Sequence, residues 1–258
     1  MEPSFYAFRS ACSYEEALRL QGVVYGQGQS GLLAFEPKET ITFGKAANRI
    51  PDLLVSESYL AQENIDLVAT DRGGKTTYHG PGQLVGFPLV NLISLYKDGR
   101  AVKRFTEELL LGLAHACAVL GVKSVETRSD FPGLWTNRGK LASIGIAVKD
   151  GFVFHGFSLN VHNSCLRGFS LIQSCGIQDC PVTTLELEGV RVDNLHEIAL
   201  RILPYLSVIQ GEKLATCAKT ISHENSQNSL MSKVSRSETA IDQLRNSFED
   251  GESHREYN

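Results

Sequence analysis

The spacing of apolar residues along the chain predicts a domain that mixes helices with strands. A capping box at Ser13-Tyr14-Glu15-Glu16 precedes apolar residues at helical spacing, so we expect the fold to begin with a helix. A longer apolar stripe runs through residues 101–120 and stops at Gly121, which predicts a second helix. Asp193 is expected to cap a last helix, whose apolar face is made by Leu195, Ile198, Ala199 and Ile202.

Short apolar runs between these helices predict strands at 31–35, 40–43, 65–70 and 84–92, the last of them interrupted or edged at Pro88. The clearest hairpin joins 141–148 to 152–159 through the turn Lys149-Asp150-Gly151. Because strands and helices interleave, we assign residues 1–218 to one α/β or α+β domain.

The C-terminal segment, residues 219–258, is much poorer in apolar residues than the 42% of the whole chain. Such a composition does not support a packed core, so we predict a polar and largely disordered tail. Residues 235–248 have the spacing of a short amphipathic helix, which leaves a docking helix as the alternative to a solvated extension.

Charge and composition narrow the classes of function. A net charge of −4 offers no basic surface for nucleic acid, and no apolar run approaches the roughly 20 residues of a membrane span. Residues 1–12 lack a basic segment followed by an apolar one, so we expect no signal peptide. The six cysteines form no C-x-x-C pair, which favours reduced thiols in a cytoplasmic protein.

The most unusual stretch, residues 72–83, reads RGGKTTYHGPGQ and lies between two predicted strands. Its glycines allow the backbone to approach a ligand closely, and it also offers hydroxyls and one imidazole. By composition it is either a ligand-binding segment or a long hairpin connection. It lacks the G-x-x-x-x-G-K-[ST] pattern of a phosphate-binding loop.

Two further residues carry reactive groups. Lys140 opens a predicted strand on its apolar face, where a lysine either has a function or extends its ammonium to solvent. Cys175 precedes a glycine and is either a nucleophile or a buried structural thiol. We expect no zinc site, because the paired short spacing of zinc ribbons is missing from His162, Cys165, Cys175 and Cys180.

Together these segments resemble the lipoyl(octanoyl) transferase family. Residues 72–83 fit the family signature R-G-G-x-x-T-x-H-x-x-G-Q at every fixed position, although Phe87 stands where the family usually has tyrosine. The segments DFPGLW at 130–135, GKLASIG at 139–145 and HGFSLN at 155–160 match further family motifs. Ser174-Cys175-Gly176 matches a P-C-G motif with serine in place of proline. The resemblance weakens at 35–44, so that loop receives no role.

The resemblance implies the fold of lipoate and biotin protein ligases, with a mixed β-sheet flanked by helices and a smaller second sheet. It implies an acyltransferase that moves an octanoyl group from octanoyl-acyl carrier protein to a lysine of a lipoyl domain. The implied acceptors are the lipoyl domains of 2-oxoacid dehydrogenase complexes and the glycine cleavage H protein. The reaction requires no cofactor, metal, nucleic acid or membrane.

The family's roles carry over to the matching positions of this chain. Cys175 would be the nucleophile that becomes the acyl-thioester, and Lys140 would activate it either as a cation or as a neutral base. The residues implied to line the substrate pocket are Arg72, Gly73, Gly74, Lys75, Thr76, Thr77, Tyr78, His79, Ser143, Ile144, Gly145, Gly156, Phe157 and Ser158.

Two alternatives remain open. A lipoate or biotin ligase of the same fold would use ATP and would not need Cys175, and the missing phosphate-binding loop argues against it. A non-catalytic member of the family would only bind carrier or lipoyl domains, and the presence of Cys175, Lys140 and His79 argues against that.

Overall fold

The computed structural model describes residues 5–128, 130–173 and 180–210, in which runs of strands are interspersed with helices. The strands are β1 (Phe5–Cys12), β2 (Gly31–Pro37), β3 (Thr40–Phe43), β4 (Asp66–Ala69), β5 (Thr76–His79), β6 (Gln83–Leu89), β7 (Glu126–Thr127), β8 (Gly133–Thr136), β9 (Gly139–Lys149) and β10 (Phe152–Asn160). The helices are α1 (Tyr14–Gly26), α2 (Arg49–Asp52), α3 (Glu57–Gln62), α4 (Leu92–Tyr96), α5 (Val102–Leu120), α6 (Leu166–Phe169), α7 (Leu195–Ile202) and α8 (Ser207–Gln210).

Two sheets are present in the described part of the chain. The larger has seven strands in the order β1-β2-β6-β10-β9-β8-β7. Its strands β1 and β2 are parallel, and every other neighbouring pair is antiparallel. The smaller sheet has the order β4-β3-β5, with β3 parallel to β4 and antiparallel to β5. The expected mixed sheet with a smaller second sheet is therefore confirmed.

Helices cover both faces of the large sheet because its central strands are apolar throughout. In β2, Leu32 and Ala34 pack in the cluster that includes α5 and α7, whereas Leu33 and Phe35 pack in the cluster that includes α1. Burial on both faces explains why β2 shows no alternation of polar and apolar residues.

Several local signals in the sequence are confirmed. The Ser13 side chain accepts the Glu16 N–H at 3.1 Å where α1 begins, and Gly121 ends α5 in a left-handed conformation. The predicted hairpin is formed by β9 and β10. Asp150 and Gly151 join these strands with φ of 52° and 77°, as a two-residue turn of type I′ requires.

Other expectations are corrected. Helix α1 is not the first element, because β1 precedes it and pairs with β2. Helix α7 is capped by Asn194 rather than Asp193, since the Asn194 side chain accepts the Glu197 N–H at 2.7 Å. The glycine-rich stretch is not a plain connection, because strand β5 lies inside it and belongs to the small sheet.

Pro88 lies inside β6, although proline cannot donate to a strand ladder. The pairing of β6 with β10 covers Gln83 to Gly86 and stops before Pro88. The interruption predicted at Pro88 is therefore confirmed for the pairing of β6 with β10. Strand β10 departs from regular geometry at the same level, where His155 has a left-handed φ of 58°.

In the described residues, no helix is long and apolar enough to cross a membrane.

Candidate active site

A pocket of about 600 Å³ lies beside residues 72–79, which lead into and form β5, and beside strands β6, β9 and β10. Its volume falls within the range of about 300–1,000 Å³ that is typical of small-molecule sites. Lys140 lines it, and so do most of the pocket residues expected from the sequence: Arg72, Gly73, Gly74, Lys75, Thr76, Thr77, His79, Ser143, Ile144, Gly145, Gly156, Phe157 and Ser158. The fold thus brings together segments that are far apart in the sequence.

The pocket combines an apolar wall with a few polar groups. Its apolar lining includes Val85, Phe87, Ile144, Ile146 and Phe157. Cationic groups come from the glycine-rich stretch and from β9. This combination suits an apolar chain that ends in a polar reactive group.

Arg72 fixes the glycine-rich stretch to strand β3. Its Nη2 donates to the backbone oxygen and to the hydroxyl oxygen of Thr42, both at 2.8 Å, and its Nη1 donates to the Gly73 oxygen at 3.1 Å. A buried guanidinium remains charged and needs such partners. Arg72 therefore contributes a fixed positive charge to the pocket wall.

Tyr78, unlike the other expected pocket residues, is not among the described residues that line the pocket, and its part in substrate binding stays a prediction. Its ring occupies a slot between Gly80 and Gly168. A Cβ at Gly80 would come within 1.9 Å of the Tyr78 hydroxyl oxygen, and one at Gly168 within 2.1 Å of the ring. The hydroxyl donates to Glu39 Oε1 at 2.9 Å, so the side chain is used for packing beneath the glycine-rich stretch.

Lys140 is buried at the start of β9, with 5% of its surface exposed, so it does not extend its ammonium to solvent. Its Nζ lies 5.5 Å from the ring centroid of Trp135, within the range of cation–π attraction. Gly133 leaves room for this side chain, because a Cβ there would lie 2.7 Å from Lys140 Cε. Burial at a pocket wall favours the functional interpretation of Lys140.

The Lys140 backbone pairs with the segment that follows Cys175. Its N–H donates to the Pro181 oxygen at 2.8 Å, and its carbonyl accepts the Thr183 N–H at 3.0 Å. The start of β9 is therefore held against residues 181–183.

His79 ends β5 and is also buried. Its ring stacks on Tyr14 with centroids 5.2 Å apart, and its Nδ1 lies 3.3 Å from Gln83 Oε1. Burial lowers the pKa of His79 to about 3, the charge of Arg72 contributes to the shift, and the hydrogen bond with Gln83 opposes it. The imidazole is thus neutral at pH 7 and is too weak a base to take a proton there.

Carboxylates outside the pocket brace the glycine-rich stretch. Glu36 Oε1 accepts the Gly82 N–H at 3.0 Å, and Asp52 Oδ2 accepts the Thr76 hydroxyl at 2.6 Å. Glu36 belongs to residues 35–44, to which the sequence assigned no role, and so does Glu39, the partner of Tyr78. Glu36 and Asp52 hold the backbone of the glycine-rich stretch in place.

Cys175 lies outside the described residues, as do Ser174, Gly176 and residues 211–258. On the N-terminal side of Cys175, the Gln173 N–H donates to the Asp52 oxygen at 2.8 Å. Among the described cysteines, Cys117 and Cys165 are buried, and burial raises the pKa of each thiol to about 12. These two thiols are therefore poor nucleophiles at neutral pH.

No group of three or more His, Cys, Asp or Glu side chains in the described residues could hold a metal ion. His162 Nδ1 lies 3.8 Å from Glu186, and Cys165 Sγ lies 3.1 Å from the His162 oxygen. Because Cys175 is not described, the expected absence of zinc stays a prediction.

Residues 8–206 match the family described as the lipoyl protein ligase A/B catalytic domain. The chain belongs to this family.

Curated members named octanoyltransferase are similar to the chain over most of its length. The octanoyltransferase of Alkaliphilus metalliredigens is 38% identical over 204 residues, which cover 77% of this chain and 91% of that protein. The octanoyltransferase of Caldicellulosiruptor saccharolyticus is 33% identical over 234 residues, which cover 87% and 94%. The resemblance to the lipoyl(octanoyl) transferase family is confirmed, and the chain is an enzyme of the acyltransferase class.

Solved structures of lipoate protein ligases share the fold. The lipoate protein ligase of an archaeal lipoylation system from Thermoplasma acidophilum has a TM-score of 0.62 at 14% identity, covering 89% of this chain and 92% of that one. Lipoate-protein ligase A bound with ATP has a TM-score of 0.62 at 11% identity, covering 79% and 85%. At these identities the similarity shows the fold alone, and it confirms the expected ligase-like architecture.

The lipoyl ligase-like pocket also uses residues that sequence patterns did not single out. Tyr14 lines it, and its hydroxyl lies 3.0 Å from His155 Nδ1. The other ring nitrogen of His155 lies 2.6 Å from Asp71 Oδ1. Burial lowers the pKa of His155 and the Arg72 charge adds to the effect, whereas Asp71 opposes it. A neutral His155 donates its Nε2–H to Asp71 and accepts the Tyr14 hydroxyl.

His155, whose backbone is in the strained left-handed conformation, also forms a hydrogen bond through its backbone N–H. Its N–H donates to Gln21 Oε1 at 2.9 Å, on helix α1. A left-handed non-glycine residue persists only where surrounding contacts hold it. The sequence signal for this site was the match of residues 155–160 to a family motif.

Proposed function

We propose that this chain transfers an octanoyl group from octanoyl-acyl carrier protein to a lysine of lipoyl domains, through a thioester on Cys175. The observation that carries the proposal is the buried ammonium of Lys140 in a largely apolar pocket, next to the segment that follows Cys175. The curated relatives named octanoyltransferase support the acyl group. The archaeal ligase of the same fold was analysed with its E2 lipoyl domain, which supports that acceptor.

The chain on either side of Cys175 supports its approach to Lys140. Cys175 follows the anchored Gln173 by two residues (175 − 173) and precedes Pro181 by six (181 − 175). Six residues span at most about 20 Å when fully extended. Because Pro181 is bonded to the backbone of Lys140, a connection of this length allows the thiol to reach the pocket, which supports the proposal.

The chemistry proceeds in two half-reactions. The Cys175 thiolate attacks the carrier thioester and the carrier thiol leaves, and the lysine amine then attacks the new thioester and releases Cys175. A free thiol is only a few per cent ionised at pH 7 and needs activation. An ammonium about 4 Å away, at an effective dielectric near 20, supplies at most about 4 kcal/mol, or about three pKa units of the cysteine.

The other groups of the pocket suit the same two half-reactions. Backbone N–H groups of the glycine-rich stretch are suited to hold the oxyanion of the tetrahedral intermediate. The apolar wall is suited to the acyl chain. No step requires ATP.

The test is a transfer assay with purified protein, octanoyl-carrier protein and a lipoyl domain. We expect octanoylated lipoyl domain to form without ATP, and Cys175→Ser to abolish it, while Cys217→Ser retains it. Product that forms only with free octanoate and ATP would establish a ligase instead. Binding of both proteins without product would establish a non-catalytic member.

A further inference from the structure

Two buried amide side chains behind the pocket have no part in the chemistry described above. Gln83 opens β6 and Asn160 ends β10, and the two residues are paired in the sheet. Gln83 is fully buried and Asn160 is 3% exposed. Gln83 Nε2 donates to Asn160 Oδ1 at 2.9 Å.

The direction of this hydrogen bond is fixed by main-chain carbonyls. Asn160 Nδ2 donates to the Lys140 oxygen at 3.3 Å and to the Thr183 oxygen at 3.1 Å, which uses both of its hydrogens. Its Oδ1 must therefore be the atom that faces Gln83. Gln83 Nε2 in turn donates to Asn160 and to the Tyr78 oxygen at 3.3 Å, which uses both of its hydrogens as well.

Only the Oε1 atom of Gln83 remains for His79. A carbonyl oxygen accepts hydrogen bonds and cannot donate them, so His79 Nδ1, 3.3 Å away, must carry the hydrogen. The imidazole is neutral because burial, with smaller contributions from Arg72 and His155, lowers its pKa to about 3. The single hydrogen is therefore on Nδ1, and Nε2 keeps its lone pair.

We propose that the Gln83–Asn160 pair holds His79 in its Nδ1–H tautomer, so that His79 Nε2 accepts a hydrogen bond from the amine of the incoming lysine. The inference rests on the proposed function. An attacking amine carries N–H donors, whereas the carbonyl and sulfur of a thioester carry none. The acceptor site therefore fits the second half-reaction rather than the first.

The transfer step balances without a proton on His79. The C–S bond of the acyl-enzyme breaks and the C–N bond of the amide forms. The lysine ammonium loses two protons, one of which ends on the cysteine sulfur and the other in solvent. His79 binds and orients the amine, and Gln83 and Asn160 are positioning residues that act through it.

The tautomer is tested directly by long-range ¹⁵N–¹H NMR of protein labelled with ¹⁵N-histidine, with His79→Gln to assign the signals. We expect a protonated Nδ1 and an unprotonated Nε2 for His79, unchanged between pH 8 and pH 5. A hydrogen on Nε2, or a titration near pH 6.5, would overturn the proposal. In Gln83→Glu, the new carboxylate should raise the pH at which the His79 signals titrate, and unchanged signals in a folded variant would argue against control by Gln83.

The role in transfer is tested by measuring the two half-reactions separately. We expect His79→Ala to slow transfer to the lipoyl domain about tenfold more than it slows acyl-enzyme formation, the loss expected for one hydrogen bond. His79→Gln retains an acceptor oxygen and should recover most of the loss. His115→Gln, on helix α5 beside Tyr205, is the matched control.

The outcomes separate this inference from the proposed function. If the wild-type protein forms no acyl-enzyme, the proposed function fails while the NMR result still decides the tautomer. If the wild-type protein transfers normally and His79→Ala slows acylation rather than transfer, the assignment of His79 to the amine is wrong.

Discussion

At the scale of single residues, the site depends on charged and polar groups that are buried yet bonded. Arg72 is held by Thr42, and Lys140 lies over Trp135. Removing a buried charge from water is costly unless contacts replace the lost hydration. We therefore expect substitution of Arg72 or Lys140 to change the chemistry of the site more than its packing.

The first prediction concerns Lys140 and Cys175. Cys175 should react with iodoacetamide at pH 6 to 7 faster than the buried Cys117 and Cys165, whose thiols have a pKa of about 12. Lys140→Met should move the reactivity of Cys175 to higher pH, by up to about three units, and slow acyl-enzyme formation accordingly. Peptide mass spectrometry after alkylation at a series of pH values measures both effects.

The control for this measurement is Lys123→Met, which removes an exposed lysine beyond the far end of α5. It should leave the profile of Cys175 unchanged. A Cys175 that titrates near 8.5 in the wild-type protein and in Lys140→Met would return this cysteine to a structural role.

The second prediction is a dependence of stability on pH that arises at His79. Its folded-state pKa, about 3, lies below the unfolded value of about 6.5. The stability that this group contributes is therefore present above pH 6.5 and is lost as the pH falls towards 3. Between pH 7 and pH 5 the loss amounts to about 2 kcal/mol.

Urea unfolding of the wild-type protein and of His79→Gln at these two pH values measures this loss. The wild-type protein should lose about 2 kcal/mol more than the variant as the pH is lowered. Equal losses in the two proteins would show that His79 is not kept neutral by burial.

Sequence reasoning identified most pocket residues because they lie in compact motifs with unusual composition. It did not identify the pocket residue Tyr14, or Asp71 outside the pocket lining, because their shared partner His155 is 141 and 84 residues away in the chain. A local sequence pattern does not reveal contacts between residues that are so far apart in the chain. It placed Tyr78 in the pocket because the neighbouring residues in the motif are there. The Tyr78 ring instead lies in the slot between Gly80 and Gly168.

At the scale of helices and strands, strong periodicity and short apolar runs were reliable guides, whereas polar segments were not. Helix α5 and the β9–β10 hairpin were predicted because each has a long apolar pattern and a clear terminator. Strand β5 was hidden because its residues, Thr76–His79, are mostly polar, and its place in the small sheet depends on pairing with β3. Strand β1 was overlooked because the capping box after it is the stronger local signal.

The third prediction concerns the start of helix α5. Lys97, Arg100, Lys103 and Arg104 form a basic patch there, and all four are exposed. Val102 and Thr106 of the same helix line the pocket, so the patch adjoins the site. Two of its charges have acidic partners, since Lys103 lies 3.9 Å from Glu107 and Arg104 lies 2.8 Å from Glu108.

Reversing the other two charges, with Lys97→Glu and Arg100→Glu, should therefore have the larger effect on docking. If the carrier protein is acidic, as the family resemblance implies, we expect a higher KM for it and a weaker dependence of KM on salt. Arg19→Glu with Lys123→Glu gives the same change of net charge at other exposed positions. An equal effect of both pairs would assign the result to net charge rather than to the patch.

At the scale of the whole molecule, one ligase-like domain carries every described element of the site. The match to the family covers residues 8–206, which agrees with a single domain that holds the described site. The composition of residues 219–258 separates them from the rest of the chain, since they offer few apolar side chains for a core.

The fourth prediction is that a chain ending at Cys217 keeps its melting temperature and its transfer rate. The reason is that the removed segment contains few apolar residues, so it can make few stabilising apolar contacts with the domain. Thermal unfolding and the transfer assay measure the two quantities. A fall of several degrees in the melting temperature, or aggregation of the shortened chain, would show that the segment packs on the domain.

The central claim is a covalent octanoyl-cysteine intermediate, and the most direct measurement is the mass of the protein after incubation with octanoyl-carrier protein alone. We predict one octanoyl adduct without ATP, located after proteolysis on the peptide that contains Cys175 and removed by hydroxylamine. The adduct should be absent in Cys175→Ser and should disappear from the wild-type protein when a lipoyl domain is added. An adduct on another residue, or octanoyl transfer to the lipoyl domain with no adduct at Cys175 at any time, would contradict the account.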